Sequence, residues 1–199
     1  MKNTLRFNPP KDWGHKNCNP HFTGLVNLIG HVSYFLDYKD NSKMLEIGCY
    51  MGESTLMFCA SNAFDEIHCM DPFKKNSFIK TENFVNEMLK VEWDEVKREF
   101  WTNTRHFSDK IKLHQDFSYN MVDKFPDKYF DFVYIDANHT YEDVKRDILD
   151  YLPKTSTLIG GHDYNPGVWD GVVEAVNEMF PDSEIHVHQD TSWLVNLKE

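Results

Sequence analysis

Two short apolar runs end in the residue types that move protons or hold cations. Phe132–Asp136 finishes on Asp136, with His139 three residues on, and Thr157–Gly160 is followed closely by His162 and Asp163. An imidazole titrates near neutrality, so His139 or His162 can act as a general base, oriented by Asp136 or Asp163. Alternatively, Asp136, His162 and Asp163 can hold a divalent ion that lowers the pKa of a hydroxyl bound to it. An imidazole in that set favours a softer ion than Mg2+. Both routes stay open at the level of sequence. Taken singly, Asp136 also reads as a helix cap and His139 as an exposed turn residue. The pairing of acid with imidazole at two strand ends weighs against that reading. The remaining histidines show no metal-ligand spacing, and His186 and His188 read as surface patterning on one face of a strand.

A second constellation lies nearer the N-terminus. In the turn from Glu46 to Thr55, Gly48 and Gly52 allow a tight bend and a close approach of ligand to backbone. A plain strand-to-helix turn also favours glycine, so the spacing alone is weak. Asp71, about 20 residues further on, ends the next apolar run, where an acid can accept hydrogen bonds from both hydroxyls of a ribose. The GxGxxG spacing of dinucleotide sites is absent. Glu53 in the first turn of the following helix and Glu46 at the end of the strand would repel a pyrophosphate. A cationic nucleoside suits these charges, and S-adenosylmethionine, with its sulfonium and ammonium, fits them better than NAD.

The elements that must position these residues alternate. Met44–Gly48, Ile67–Asp71, Ile111–Gln115, Phe132–Asp136 and Thr157–Gly160 read as strands. Helical spacing recurs at Phe22 to Leu36, Leu56 to Ala63, Tyr141 to Leu152 and Val168 to Met179. Thr140 followed by Asp143 predicts a capping box for the third of these helices. Alternating strands and helices imply crossover connections and a parallel sheet. Glu184–His188 and Trp193–Leu197 are joined by a link short enough for a hairpin, which gives one antiparallel strand at or near the sheet edge. Residues 1–20 read as an irregular arm. The 72–110 segment, with Val85, Leu89, Trp93, Val96 and Phe100 at helical spacing, is long enough to cover a pocket or mediate self-association.

Composition narrows the partners. The 199 residues carry 21 basic and 32 acidic side chains, a formal charge of −11, which argues against nucleic acid as a partner. An apolar fraction of 41% supports one packed domain spanning 1–199. No apolar run approaches a membrane span, and Met1 to Arg6 lacks the apolar stretch of a secretory leader. Cys18, Cys49, Cys59 and Cys69 form no CxxC pair and read as free thiols, which implies a cytoplasmic protein.

Leu45–Gly52 resembles the first motif of class I S-adenosylmethionine-dependent methyltransferases, and Asp71 matches their ribose-binding acid. Gln115-Asp116-Phe117 is similar to the segment bordering the adenine, and Tyr134–Glu142 with Gly161–Tyr164 is similar to a subgroup that methylates small molecules. The resemblance covers roughly 42–197. It implies a Rossmann-like α/β fold: a seven-stranded, mostly parallel sheet with helices on both faces and one antiparallel strand in the C-terminal hairpin. It also implies cofactor contacts from Glu46, Gly48, Cys49, Tyr50, Gly52, Ser54, Asp71, Asp116 and Asp136. Tyr50 stands where the family usually has a further glycine. Metal-dependent members such as catechol O-methyltransferase place an Asp after strand four and an Asp-Asn pair after strand five. Here His162 replaces a carboxylate, and His139 falls where that enzyme has a basic lysine.

The expected acceptor is a hydroxylated small molecule, a sugar or related polyol. Asn103, Arg105 and His106 are candidates to reach over the pocket, and Tyr164, Asn165 and Trp169 to line its acceptor side. Two other readings compete: a metal-dependent oxidoreductase or hydroxylase on the same fold, and a non-catalytic cofactor-binding domain.

Overall fold

The computed structural model describes residues 19–37, 39–74 and 92–198. Nearly all of the expected arm over 1–20, and Val85 and Leu89 of the 72–110 segment, lie outside these residues. Helix α1 (Asn19–Phe35) precedes strand β1 (Lys43–Ile47), helix α2 (Glu53–Ser61) and strand β2 (Glu66–Met70). Helix α3 (Trp93–Thr104) leads to β3 (Ile111–His114), and β4 (Phe130–Ile135) to α4 (Tyr141–Tyr151). Then come β5 (Thr155–Gly161), α5 (Asp170–Met179), β6 (His186–Val187) and β7 (Trp193–Asn196).

The strands form one seven-stranded sheet in the order β3-β2-β1-β4-β5-β7-β6. All neighbours are parallel except β7, which runs antiparallel to both β5 and β6. The expected hairpin is present, with β7 rather than β6 filling the slot beside β5.

Each face of the sheet has its own core. On one side Leu28, Val32, Phe58 and Phe100, from α1, α2 and α3, pack over Met44, Phe132 and Tyr134. On the other Val144, Ile148, Val172 and Val176, from α4 and α5, cover Leu45, Val133 and Trp193. A fully buried Leu, Phe or Val contributes about 1.5–3 kcal/mol, so this double layer outweighs any surface ion pair. Thr140 caps α4 as its sequence predicts: its hydroxyl accepts from the Asp143 N–H at 3.3 Å and donates to the Asp143 carboxylate at 2.9 Å.

β1 pairs with β2 on one side and β4 on the other, so the chain leaves it in opposite directions and a crevice opens at the carboxyl ends. The register Ile47↔Ile135 sets Gly48 beside Asp136, and Asp136 N donates to Ile47 O at 2.8 Å.

Candidate active site

The bend after β1 requires glycine. Gly48 has φ +87°, and a Cβ there would lie 2.1 Å from the Asp136 carbonyl oxygen. Tyr50 also takes a left-handed conformation, φ 44°, in the loop where the resemblance led to glycine. The Asp71 carboxylate holds this loop in place. Its Oδ2 accepts from the Cys49 and Tyr50 N–H groups at 3.1 and 3.0 Å, and its Oδ1 from the Phe73 N–H at 2.7 Å. A carboxylate has about four acceptor positions. Three are occupied by backbone, which leaves room for about one hydroxyl rather than the expected pair.

Glu46 is turned away from this crevice. It is fully buried, and the hydroxyls of Ser54 and Thr55 at the start of α2 donate to its two oxygens. Burial pushes its carboxyl up to about 7, against the lowering effect of those hydroxyls. Strand alternation explains the difference from the sequence reading, because Ile47 and Glu46 point to opposite sides of the sheet. Glu46 and Ser54 therefore brace the helix N-terminus and place no side chain in the crevice. Cys49 is buried with its thiol on the Glu46 carbonyl at 3.6 Å, and Gly52 caps α2 with φ 78°. Glu46, Cys49 and Cys69 do cluster, but burial raises both thiols, which disfavours the thiolates that a metal would need.

The crevice encloses a cavity of about 460 Å³, inside the roughly 300–1,000 Å³ range of small-molecule sites. Gly48, Tyr50, Asp71, Asp116, Asp136 and His139 line it; Glu46, Cys49, Gly52, Ser54 and His162 do not. The sequence reading missed Lys74, Trp93, Tyr119 and Arg146 in this wall. Phe117 and Tyr119 stack in parallel at 5.2 Å, with Lys74 over one ring and Arg146 over the other. Asp116 accepts from Asn120 and from the Phe117 N–H, which hold its carboxyl below the usual range.

Asp136 and His139 in the far wall, with Asp163 outside the lining, offer ligand atoms that all lie within 4.8 Å of one another. His139 Nε2 is 2.7 Å from Asp163 Oδ2 and 4.0 Å from Asp136 Oδ1. It is buried, out of hydrogen-bond alignment with either acid, and its ring stacks on Trp169 at 4.3 Å. This changes the ligand set expected from sequence: His139, not His162, completes the triad. His162 turns aside, its Nδ1 3.2 Å from Asp163 Oδ1 and its Nε2 3.9 Å from Asp190 Oδ2.

The charges follow from these contacts. Burial would depress His162, but its bond to Asp163 and the charges of Asp136, Asp163 and Asp190 outweigh it and lift the ring to about 9. His162 is thus a cation at neutral pH and a poor base. Burial alone would raise Asp163, yet the two histidines hold it well below the carboxylate range. Burial raises Asp136, with the charges of Asp163 and Asp190 adding to it, in spite of His162 and His139. Asp163 is also left-handed, with φ 63°, a strain that accompanies functional positions.

Two residues expected to reach over the pocket and one expected to line its acceptor side have other bonds. Asn103 ties α3 to the glycine loop through Met51 O at 2.9 Å, Arg105 bonds Thr102 O at 2.7 Å, and Tyr164 bonds Asn177 at 2.8 Å. Among the described residues no helix is long and apolar enough to cross a membrane.

Comparison with known proteins follows the same lines. The profile of a family described as a methyltransferase domain matches residues 45–164. No curated protein matches the chain by sequence. Among solved structures, the O-methyltransferase NovP is similar over 86% of this chain and 78% of its own, at 16% identity and TM-score 0.66. Cofactor-bound Rv0187 from MTB is similar over 96% and 84%, at 14% identity and TM-score 0.58. Spermidine synthase from Thermotoga maritima is similar over 87% and 58%, at 15% identity and TM-score 0.51. At such identities the likeness is one of fold.

Proposed function

The chain belongs to the methyltransferase-domain family, and from that premise we propose that it methylates a hydroxyl of a small molecule, a sugar or related polyol, using S-adenosylmethionine. One observation carries the reading: a single cavity joins the glycine bend and Asp71 to Asp136 and His139. When bound, S-adenosylmethionine supplies an electrophilic methyl carbon on a sulfonium.

The chain's own residues would do the rest. Gly48 lets the ligand approach the backbone, and the remaining acceptor position of Asp71 takes one ribose hydroxyl. The Phe117 and Tyr119 rings offer an aromatic wall to the adenine, which Asp116 borders. Asp136, partly open to the cavity, complements the positive charge of the donor. Methyl transfer then needs an acceptor oxygen held in line and relieved of its proton. His139, its Nε2 committed to Asp163 at 2.7 Å, would take that proton through its other ring nitrogen, and Asp163 stabilises the resulting imidazolium. His162, cationic between Asp163 and Asp190, offsets the surrounding acids and fixes Asp163.

Asp136, His139 and Asp163 also fit a divalent ion: two carboxylates and an imidazole nitrogen without an aligned hydrogen bond. Bound there, such an ion would lower the pKa of the acceptor hydroxyl.

The test is Asp136→Asn. Binding of S-adenosylhomocysteine should change little, while turnover on a hydroxylated acceptor falls about 10²–10⁴-fold. Turnover equal to wild type would remove Asp136 from the chemistry. An EDTA challenge with divalent add-back separates the two proton-removal routes, because only a metal route loses and regains activity.

A further inference from the structure

Three imidazoles at the edge of the sheet take no part in the site above. His186, on β6, and His188, just after it, stand two residues apart and leave the same face of the strand. His31 meets them from α1. The His31 ring centroid lies 5.0 Å from that of His188 and 5.7 Å from that of His186, edge to face in both cases. Two imidazoles on one tetrahedral ion, with Zn–N near 2.0–2.1 Å, have centroids roughly 5 Å apart. His31 is therefore in ring contact with both partners, at a centroid spacing that edge-to-face packing also gives.

Two further contacts have the form of a metal site. His188 Nε2 is buried and has no hydrogen-bond partner, an arrangement that native interiors seldom tolerate. His186 Nδ1 faces the Glu184 carboxylate at 3.6 Å, the kind of outer contact that fixes a ligating ring and frees its Nε2. As the rings stand, their nitrogens do not all converge within 4.8 Å. Side-chain rotation out of the edge-to-face packing is the movement that would close the site.

We propose that His31, His186 and His188 form a second metal site, selective for Zn2+ or a similar borderline ion, that pins α1 to the outermost strand. Its all-imidazole donor set suits Zn2+, Ni2+ or Cu2+, whereas the carboxylate-rich Asp136 cluster suits harder ions. None of the three histidines lines the cavity, so the site is structural and separate from methyl transfer.

The experiment uses the untagged full chain, stripped with a chelator and titrated with Zn2+ by calorimetry, and with Co2+ by visible absorption. Wild type should take up a Zn2+ equivalent that His139→Ala retains and His31→Ala loses by at least about 100-fold, since loss of an outer contact alone costs 10–100-fold. Glu184→Gln should weaken it about tenfold. Co2+ should give the intense bands of tetrahedral coordination in wild type and not in His31→Ala. His31 is exposed, so its removal leaves the core intact; His186→Ala gives the same reading independently. Absence of Zn2+ uptake by wild type, or uptake by His31→Ala and His186→Ala within about threefold of wild type, overturns the proposal.

Discussion

Glu46 shows how far a residue's role can depart from its position in a motif. Its carboxyl has exchanged water for the hydroxyls of Ser54 and Thr55, and the folded chain keeps it protonated up to about pH 7. The unfolded chain would lose that proton near its ordinary value of 4.5, so between the two the folded state binds more protons. Stability from this group is therefore full below about 4.5 and falls as pH rises towards 7, by an amount on the order of 3 kcal/mol. Glu46→Gln should remove that slope: urea unfolding of the variant should match or exceed wild type near pH 8 and lose the advantage near pH 5. A wild-type-minus-variant difference that is flat with pH would refute the buried-acid reading. The motif Leu45–Gly52 was legible in the sequence because it repeats a pattern of residue types. The turn of Glu46 away from the crevice was not legible from the motif, although strand alternation carries it. His139 and His162 were both placed at the right end of the sheet. Which ring meets Asp136 depends on loop torsions and on Asp190, a residue distant in the chain.

At the scale of elements, β1 and β4 set the site through one register. Gly48 lies against the Asp136 backbone because Ile47 pairs with Ile135. Gly48→Ala would combine a left-handed φ with a contact to a carbonyl that cannot swing aside, so it should cost at least about 2 kcal/mol and abolish S-adenosylhomocysteine binding. Chemical denaturation and calorimetry would check both, and an alanine variant with wild-type affinity would contradict the close approach. The five long strands and their helices were legible from apolar runs and 3.6-residue spacing, and the α4 cap from Thr140 and Asp143. The pair His186–Val187 forms a strand of only two residues, half exposed, so the sequence overstated its length. Strand order was not legible, because local periodicity carries no information on which strands meet; the resemblance implied only seven strands with one antiparallel.

At the scale of the whole molecule, the net charge of −11 and the acid-lined crevice favour a cationic ligand that binds the folded chain alone. Saturation with S-adenosylhomocysteine at about 100 times its Kd should add about 2.7 kcal/mol. For a chain of this size that is a rise in Tm of roughly 5–10 °C, readable by thermal unfolding. Gly48→Ala should show no rise, and an unmoved wild-type Tm would count against the cavity as the cofactor site.

β7 has a consequence for biosynthesis. It fills the gap between β5 and β6, although it is the last strand of the described chain to be made. While the ribosome is still reading α5 and the hairpin, β5 presents an open, apolar margin with nothing to zip onto it. The nascent protein would thus complete its sheet only after Trp193 to Asn196 emerge, and until then it would be a client for chaperones.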